Sequence, residues 1–395
     1  MSEKVSAMQI KGCRIHIAGS AKPDISPDLL HYGHSLIEAL VRILMGKGAR
    51  FLVGIGKEPR LEDKPGALPI IFDWTVVATI VDCLKSGAIV PLSWQGEVLT
   101  TVATQKTGEQ IPEDRRGIWQ EMLARGDVQV EYIEPGWASG AVRRARMTES
   151  GDVLIILSGG EGVEHLAREY ALHGKPVLPI DLDLGSSTGD GTGGASRLAG
   201  EMLAHPDRFF RLSSPSATGE LLTKLATRRG QSPAEHVAQG IVDLIEAIEP
   251  PRAFYARLLA RDHPEYPEVE RFFRNVVDPL IQELGYERTE MGLSASTHAW
   301  MNTQIFDSLH NCVVAVVDLT GLRSDCLIEL GYALGRSRRI ILTAKKGTTL
   351  PFDSKMLECY FWEDSLSDDE KLSQLKDYWR RNINRPPLVM PREVL

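Results

Sequence analysis

Glu329 stands in the run Cys326-Leu327-Ile328-Glu329-Leu330, a carboxylate with apolar neighbours on both sides. It falls early on a helical stretch that follows the apolar run CVVAVVDLT. Desolvation raises the pKa of a carboxyl group in such surroundings, or hydrogen bonds hold it ionised, and both conditions suit a nucleophile or a general base. The competing reading is a glutamate near a helix N-terminus that the macrodipole stabilises by about 0.3–1 kcal/mol and nothing more. Two more acids attend it: Asp318 closes the apolar run, and Asp325 lies in the polar connection. Phe254, Tyr255, Trp300 and Tyr332 are candidates for stacking on a base, with plain core as the other fate. Arg257 and Arg261, one turn apart if helical, can bind phosphate or stay on the solvated surface.

Glycines gather where apolar runs end: Gly19 with Ser20, Gly54 with Gly56, and Gly159, Gly160 and Gly162 in SGGEGVEHLA. Turns of this kind let backbone N–H groups approach phosphate at a helix N-terminus. A tight strand-to-helix turn wants glycine in any case, so one such turn says little and three in one sheet say more.

These residues need a scaffold, and the patterning supplies an α/β one. CRIHIAGSA, HSLIEALVRILMGKGA, RFLVGIGKE and WTVVATIVDCLKSGA read as strand, helix, strand and helix. The run DVLIILSGG, the helix VEHLAREYALHGK and the strand PVLPIDLD follow, and runs apolar on both faces fit parallel strands covered by helices. GSSTGDGTGG must then be a loop. A helical stretch through HVAQGIVDLIEAIEPP ends at a Pro pair, after which the α/β logic restarts with RAFYARLL. The expected organisation is two Rossmann-like parallel-sheet domains, residues 1–230 and 251–395, joined by a helical linker at 231–250.

A chain of 395 residues is long for one domain at roughly 150 residues each. With 43% hydrophobic and 25% charged residues it is globular rather than disordered. Its net charge of −8 offers no broad positive field for a nucleic-acid backbone. Five scattered cysteines, without a CxxC pair, indicate a reducing compartment and no structural zinc. The ten histidines show no metal-ligand spacing. No signal-peptide h-region or membrane span is evident, so a cytoplasmic protein is expected.

The N-terminal half resembles the SLOG superfamily, which includes the cytokinin-activating phosphoribohydrolases and the DNA-processing protein fold. Ala18-Gly19-Ser20, Gly54-Ile55-Gly56, Arg143-Arg144-Ala145-Arg146-Met147 and the turn from Ser158 to Leu166 carry the likeness. It implies a nucleotide cradle of Gly19, Ser20, Gly54, Gly56, Arg143, Ser158, Gly159, Gly160, Gly162 and Glu164. The final glutamate of the hydrolases' motif is Leu166 here, and its threonine is Val163, which favours sensing over hydrolysis at this site.

The C-terminal half is similar to nucleoside deoxyribosyltransferase-like proteins and TIR-type NAD-cleaving domains. Here the residues are Asp318-Leu319-Thr320-Gly321, Glu329-Leu330-Gly331-Tyr332-Ala333, Arg339 to Thr343 and Pro351-Phe352-Asp353. That resemblance implies that Glu329 cleaves a C1′–N bond, with Asp325 and Asp318 beside it and Phe254, Tyr255, Arg257, Trp300 and Tyr332 around the substrate. The sequence Arg323-Ser324-Asp325-Cys326 departs from the transferases' register, which favours hydrolysis or cyclisation over base exchange.

Such fusions occur in bacterial antiviral systems. The combined expectation is an N-glycosidase activated by a nucleotide second messenger, such as a cyclic nucleotide or an ADP-ribose derivative. NAD or a related nucleotide is its substrate, no cofactor is needed, and the chain forms a homo-oligomer without membrane or nucleic-acid partners. The alternatives are a phosphoribohydrolase acting through the N-terminal domain and a non-catalytic nucleotide-binding scaffold.

Overall fold

The computed structural model describes residues 8, 10–62, 67–87, 97–137, 139–185, 194–212, 232–289, 301–336, 338–350 and 357–383. The chain divides into two units, Met1–Glu249 and Pro250–Leu395.

In the first unit six strands form one parallel sheet: β1 (Arg14–Ser20), β2 (Arg50–Leu52), β3 (Leu99–Ala103), β4 (Val128–Tyr132), β5 (Val153–Ser158) and β6 (Val177–Ile180). Their spatial order is β4-β3-β2-β1-β5-β6. The chain winds from β1 to one edge, then returns to β5 on the other side, so the topological switch lies between β1 and β5. In sheets of this kind ligands gather outside the carboxyl ends of strands at such a reversal. Register pairs Gly19 with Leu157 and Ser20 with Ser158, which brings two of the glycine turns together there.

The covering helices are α1 (Pro27–Gly46), α2 (Asp73–Ser86), α3 (Gln105–Glu109), α4 (Glu113–Arg125), α5 (Ser139–Ser150), α6 (Glu161–Leu172), α7 (Gly194–Ala204) and α8 (Ala234–Ala247). Pro27 opens α1, where its missing N–H costs nothing. The apolar stripe of α1 at Leu30, Ile37, Leu40, Val41 and Leu44 is buried. Sequence patterning does not announce β3 or α4. The pattern of α4 is largely polar, and it buries only Trp119 and Met122.

The segment expected to link the domains is instead part of this core. Val237, Ala238, Ile241, Leu244 and Ile245 of α8 are buried in one hydrophobic cluster with Leu36, Ile37, Leu40 and Leu44 of α1. A helix with a wide apolar stripe must bury it, and α1 supplies the surface.

The second unit has a five-stranded parallel sheet in the order β11-β10-β9-β7-β8. Its strands are β7 (Arg252–Ala256), β8 (Glu287–Thr289), β9 (Val314–Asp318), β10 (Arg339–Lys345) and β11 (Tyr360–Trp362). Between β7 and β8 runs a helix with a π turn at Phe273–Val277, entered through α9 (Tyr266–Phe272) and left through α10 (Asp278–Glu283). The remaining helices are α11 (Met301–Asn311), α12 (Ser324–Gly335) and α13 (Asp368–Asn382). Ser367 and Glu370 cap α13 reciprocally. The switch in this sheet falls between β7 and β9, so α12 begins beside it. Among the described residues no helix of either unit is long and apolar enough to cross a membrane.

Candidate functional site

In the second unit, the chain leaves β9 through Leu319–Arg323 and enters α12 with Arg323 as N-cap. Glu329 sits in the second turn of α12, half-buried, and has no hydrogen bond or ion pair to any described residue. Burial first, and the charge of Asp325 second, push its pKa up to about 7. Asp325 stands one turn earlier, exposed, with its carboxylate on Arg323 at 2.8 Å. Burial also raises the neighbouring Cys326 thiol to about 12, so that group stays protonated.

Other expected members of this site are taken up by the protein's own packing and hydrogen bonds. Asp318 has no exposed surface and is fully engaged. One oxygen accepts from the Thr320 N–H at 3.0 Å, and the other accepts from Thr343 Oγ1 at 2.7 Å and Trp362 Nε1 at 3.0 Å. It clasps the ends of β9, β10 and β11 and is not free to meet a substrate. Burial raises its pKa, and those three donors oppose the rise.

Phe254 and Tyr255 are also corrected to core. β7 is covered on both faces, so its successive side chains enter two different hydrophobic clusters. The Tyr255 hydroxyl donates to Asp278 Oδ1 at 2.9 Å, while its ring meets Phe273 edge-on at 5.1 Å and lies under the Arg288 guanidinium. Arg257 is neither a phosphate ligand nor a surface residue. Its side chain is 1% exposed, donates to Glu270 Oε2 at 2.7 Å and stacks over Phe273 at 5.0 Å. Tyr332 packs α12 on α11 through Phe306 and a 3.0 Å hydrogen bond between its hydroxyl and His310 Nδ1. Trp300 and Pro351-Phe352-Asp353 lie outside the described residues.

In the first unit the expected glycine turns line the carboxyl edge. A Cβ on Gly19 would stand 2.1 Å from the Leu157 carbonyl oxygen, so only glycine allows β1 to approach β5 so closely there. Ser158 has φ of +52° and Gly159 of +96°. The turn is bonded to its own chain: Ser158 Oγ accepts from the Leu184 N–H at 3.1 Å, the Gly159 N–H donates to the Gly185 carbonyl at 2.9 Å, and the Gly194 N–H donates to the Gly159 carbonyl. Gly160 caps α6, its carbonyl accepting from the Val163 and Glu164 N–H groups, and Gly162 lies in the first turn. The Glu164 carboxylate is held by Arg197 at 2.5 Å. Leu166 is buried among Leu154, Ile156 and Tyr170, a packing position and not a catalytic one.

A second group forms at the neighbouring strand ends. The Gly54 N–H donates to Asp73 Oδ1 at 3.0 Å, and the Gly56 carbonyl accepts from Trp74 Nε1 at 3.2 Å. Burial pushes Asp73 up to about 6, against the Gly54 hydrogen bond and the charge of Arg143. Arg143 in turn lines a cavity of about 450 Å³ together with Thr104, Lys106, Thr107, Gln110 and Ser139. Of these residues only Arg143, Gly54 and Gly56 are legible in the sequence as site residues. Asp73 gives one weak signal, an acid opening an apolar helix, whereas the Lys106 side is assembled by tertiary contact.

Comparison with known proteins falls on this first unit. Residues 10–245 match the family model described as ATP nucleosidase Cap17-like, N-terminal. The chain belongs to that family. Two curated ATP nucleosidase Cap17 sequences, one from Escherichia coli strain KTE188 and one from Escherichia coli, are each 26% identical over 231 residues. The match spans 58% of this chain and 44% of each relative, less than half the relatives' length. Among solved structures, DNA processing protein A from Helicobacter pylori aligns over 51% of this chain and 77% of its own, at 18% identity and a TM-score of 0.30.

Proposed function

We propose that this protein is a nucleotide N-glycosidase that cuts the C1′–N bond of an adenine nucleotide, ATP or NAD, with Glu329 as the reacting carboxylate. The observation that carries the reading is Glu329 itself: half-buried beside the switch point of the second sheet, pushed up to about 7, and without a hydrogen bond to any described residue. A carboxylate with no protein donor is available to a cation, and breaking a C1′–N bond creates one on the ribose ring.

In the proposed reaction the bond's electron pair leaves with the base, and the ionised Glu329 faces or captures C1′. Water then adds its oxygen to C1′, and one of its protons passes to the carboxylate or the departing base. ATP is favoured by the name of the family to which the first unit belongs, and NAD by the likeness of the second unit to NAD-cleaving domains. The first unit acts as the nucleotide receptor, with a messenger favouring the active assembly of copies by its differential affinity. Hydrolysis in the first unit has against it the burial of Leu166 where the related hydrolases place their acid.

The test is incubation of the full chain with ATP or NAD, with and without cyclic nucleotides, with chromatographic detection of adenine and nicotinamide. Release of either base by the parent chain, lost in Glu329→Gln at unchanged Tm, supports the reading. Equal turnover by the variant removes Glu329 from the chemistry and returns attention to the first unit.

A further inference from the structure

The glycine turn at the β1/β5 switch is poorly suited to hold a phosphate. The Gly159 N–H and carbonyl are both satisfied by the chain's own backbone at Gly185 and Gly194. The first turn of α6 carries Glu161 and Glu164, which oppose an incoming anion. The space over the turn is also occupied, since a Cβ on Gly194 would meet Glu164 at 2.7 Å and the Gly159 carbonyl at 3.2 Å.

The cavity between α3 and α5 has the opposite character. Its lining contains two cations, Lys106 and Arg143, and no carboxylate. Neither cation has an ion pair or hydrogen bond to a described residue, although most other arginines of this unit do. Thr104, Thr107, Gln110 and Ser139 add hydroxyl and amide groups around them. The Thr104 and Thr107 hydroxyls are fixed by a reciprocal cap on α3. A volume of about 450 Å³ lies within the range of small-ligand sites. In the sequence between the lining residues Gly136 and Ser139 stands Trp137, 101% exposed, a large apolar ring left in water.

We propose that the first unit takes up its nucleotide in this cavity, with the phosphates on Lys106 and Arg143 and the base stacked on Trp137, rather than on the glycine turn after β5. Arginine and lysine together suit a phosphate chain, the arginine supplying a directional fork and the lysine a compact charge. The indole supplies a sequence-tolerant stacking face. The charge of Arg143 also acts on Asp73, which accepts from the Gly54 N–H. The inference rests on the reading of the first unit as a nucleotide receptor and is independent of Glu329.

Calorimetry on the full-length Glu329→Gln protein, which separates binding from turnover, tests it with ATP, inorganic tripolyphosphate and adenosine. Arg143→Ala and Lys106→Ala each weaken ATP and tripolyphosphate by about tenfold or more at unchanged Tm. Trp137→Ala weakens ATP and adenosine by about tenfold and leaves tripolyphosphate alone. Glu164→Gln changes none of the affinities. An ATP site count that does not fall in the Arg143→Ala, Lys106→Ala double variant overturns the placement, as does a marked tightening in Glu164→Gln, which would put the phosphates at α6. Absence of binding by any of the three probes overturns the placement together with the receptor reading, while catalysis at Glu329 is judged separately by base release.

Discussion

Asp325 precedes Glu329 by one turn of α12, and its charge adds to burial in holding the Glu329 proton until about pH 7. The nucleophilic form is the ionised one, so base release rises with pH through about 7. Removing the Asp325 charge lowers the pKa of Glu329, and in Asp325→Asn the acid limb of kcat/KM therefore moves to lower pH. An unmoved limb means that another group controls the rate. The same linkage bears on stability. The folded pKa lies above the ordinary 4.5, so this group's stabilising contribution is full below about pH 4.5 and lost as pH rises through about 7. Glu329→Gln flattens that loss.

Gly19 tests the close approach of β1 and β5. The Leu157 carbonyl that a Cβ would strike at 2.1 Å is backbone within the sheet and cannot turn aside. Gly19→Ala destabilises the first unit by about 2–3 kcal/mol, the scale of overpacking a rigid core. Urea denaturation measures it, and a loss under about 0.5 kcal/mol, the level of an ordinary surface change, shows that the strands separate at little cost.

The sheet itself is readable because both faces of its strands are buried: runs such as DVLIILS and CVVAVVD have no polar face and fit only a covered parallel strand. That same feature hides the fate of Phe254 and Tyr255. On a strand covered on both sides, alternation no longer separates core from cleft, and both rings are packing. Arg257 misleads because its partner Glu270 comes from the helix after the strand, a pairing that local sequence does not announce. The helix at Ala234–Ala247 resembles a linker because it ends at a Pro pair, although its apolar stripe already requires a partner, which α1 provides. The neighbours of Glu329 leave it open between a reacting carboxylate and a helix-start glutamate held by the dipole, and only the resemblance of the second unit favours the first. Asp73 and Lys106 are not legible, since the Gly54–Asp73 hydrogen bond and the cavity that Lys106 lines exist only once the strands of the sheet are aligned.

Lys175 anchors the far end of the helix that carries Arg143. Its buried ammonium donates to the carbonyls of Thr148, Glu149 and Gly151 at 2.8, 2.9 and 2.6 Å, closing the C-terminus of α5 where a cation also suits the helix dipole. It also lowers the pKa of buried Asp152, against the burial that raises it. Lys175→Met leaves those acceptors and that acid without their cation and destabilises the fold by about 3–5 kcal/mol, as removal of one buried charge partner does. Amide hydrogen exchange then shows α5 opening before the sheet. A variant with parental stability and exchange shows that water caps the helix equally well.

His16 sets a different pH dependence from Glu329, with the opposite sign. Its ring is buried inside β1, with Nδ1 3.0 Å from the Tyr170 hydroxyl, and desolvation lowers its pKa from 6.5 to about 3. Between those values the unfolded chain binds a proton that the folded chain refuses. The contribution of the neutral imidazole is therefore fully present above about pH 6.5 and is lost as pH falls toward 3. His16→Gln keeps a polar partner for Tyr170 but does not titrate, so its stability falls less steeply than the parent's between pH 6.5 and 4, whatever its absolute value at pH 7. Urea midpoints across that interval provide the comparison. Parallel curves for parent and variant show that the imidazole is hydrated or protonated in the folded state, contrary to the packing around β1 and Tyr170.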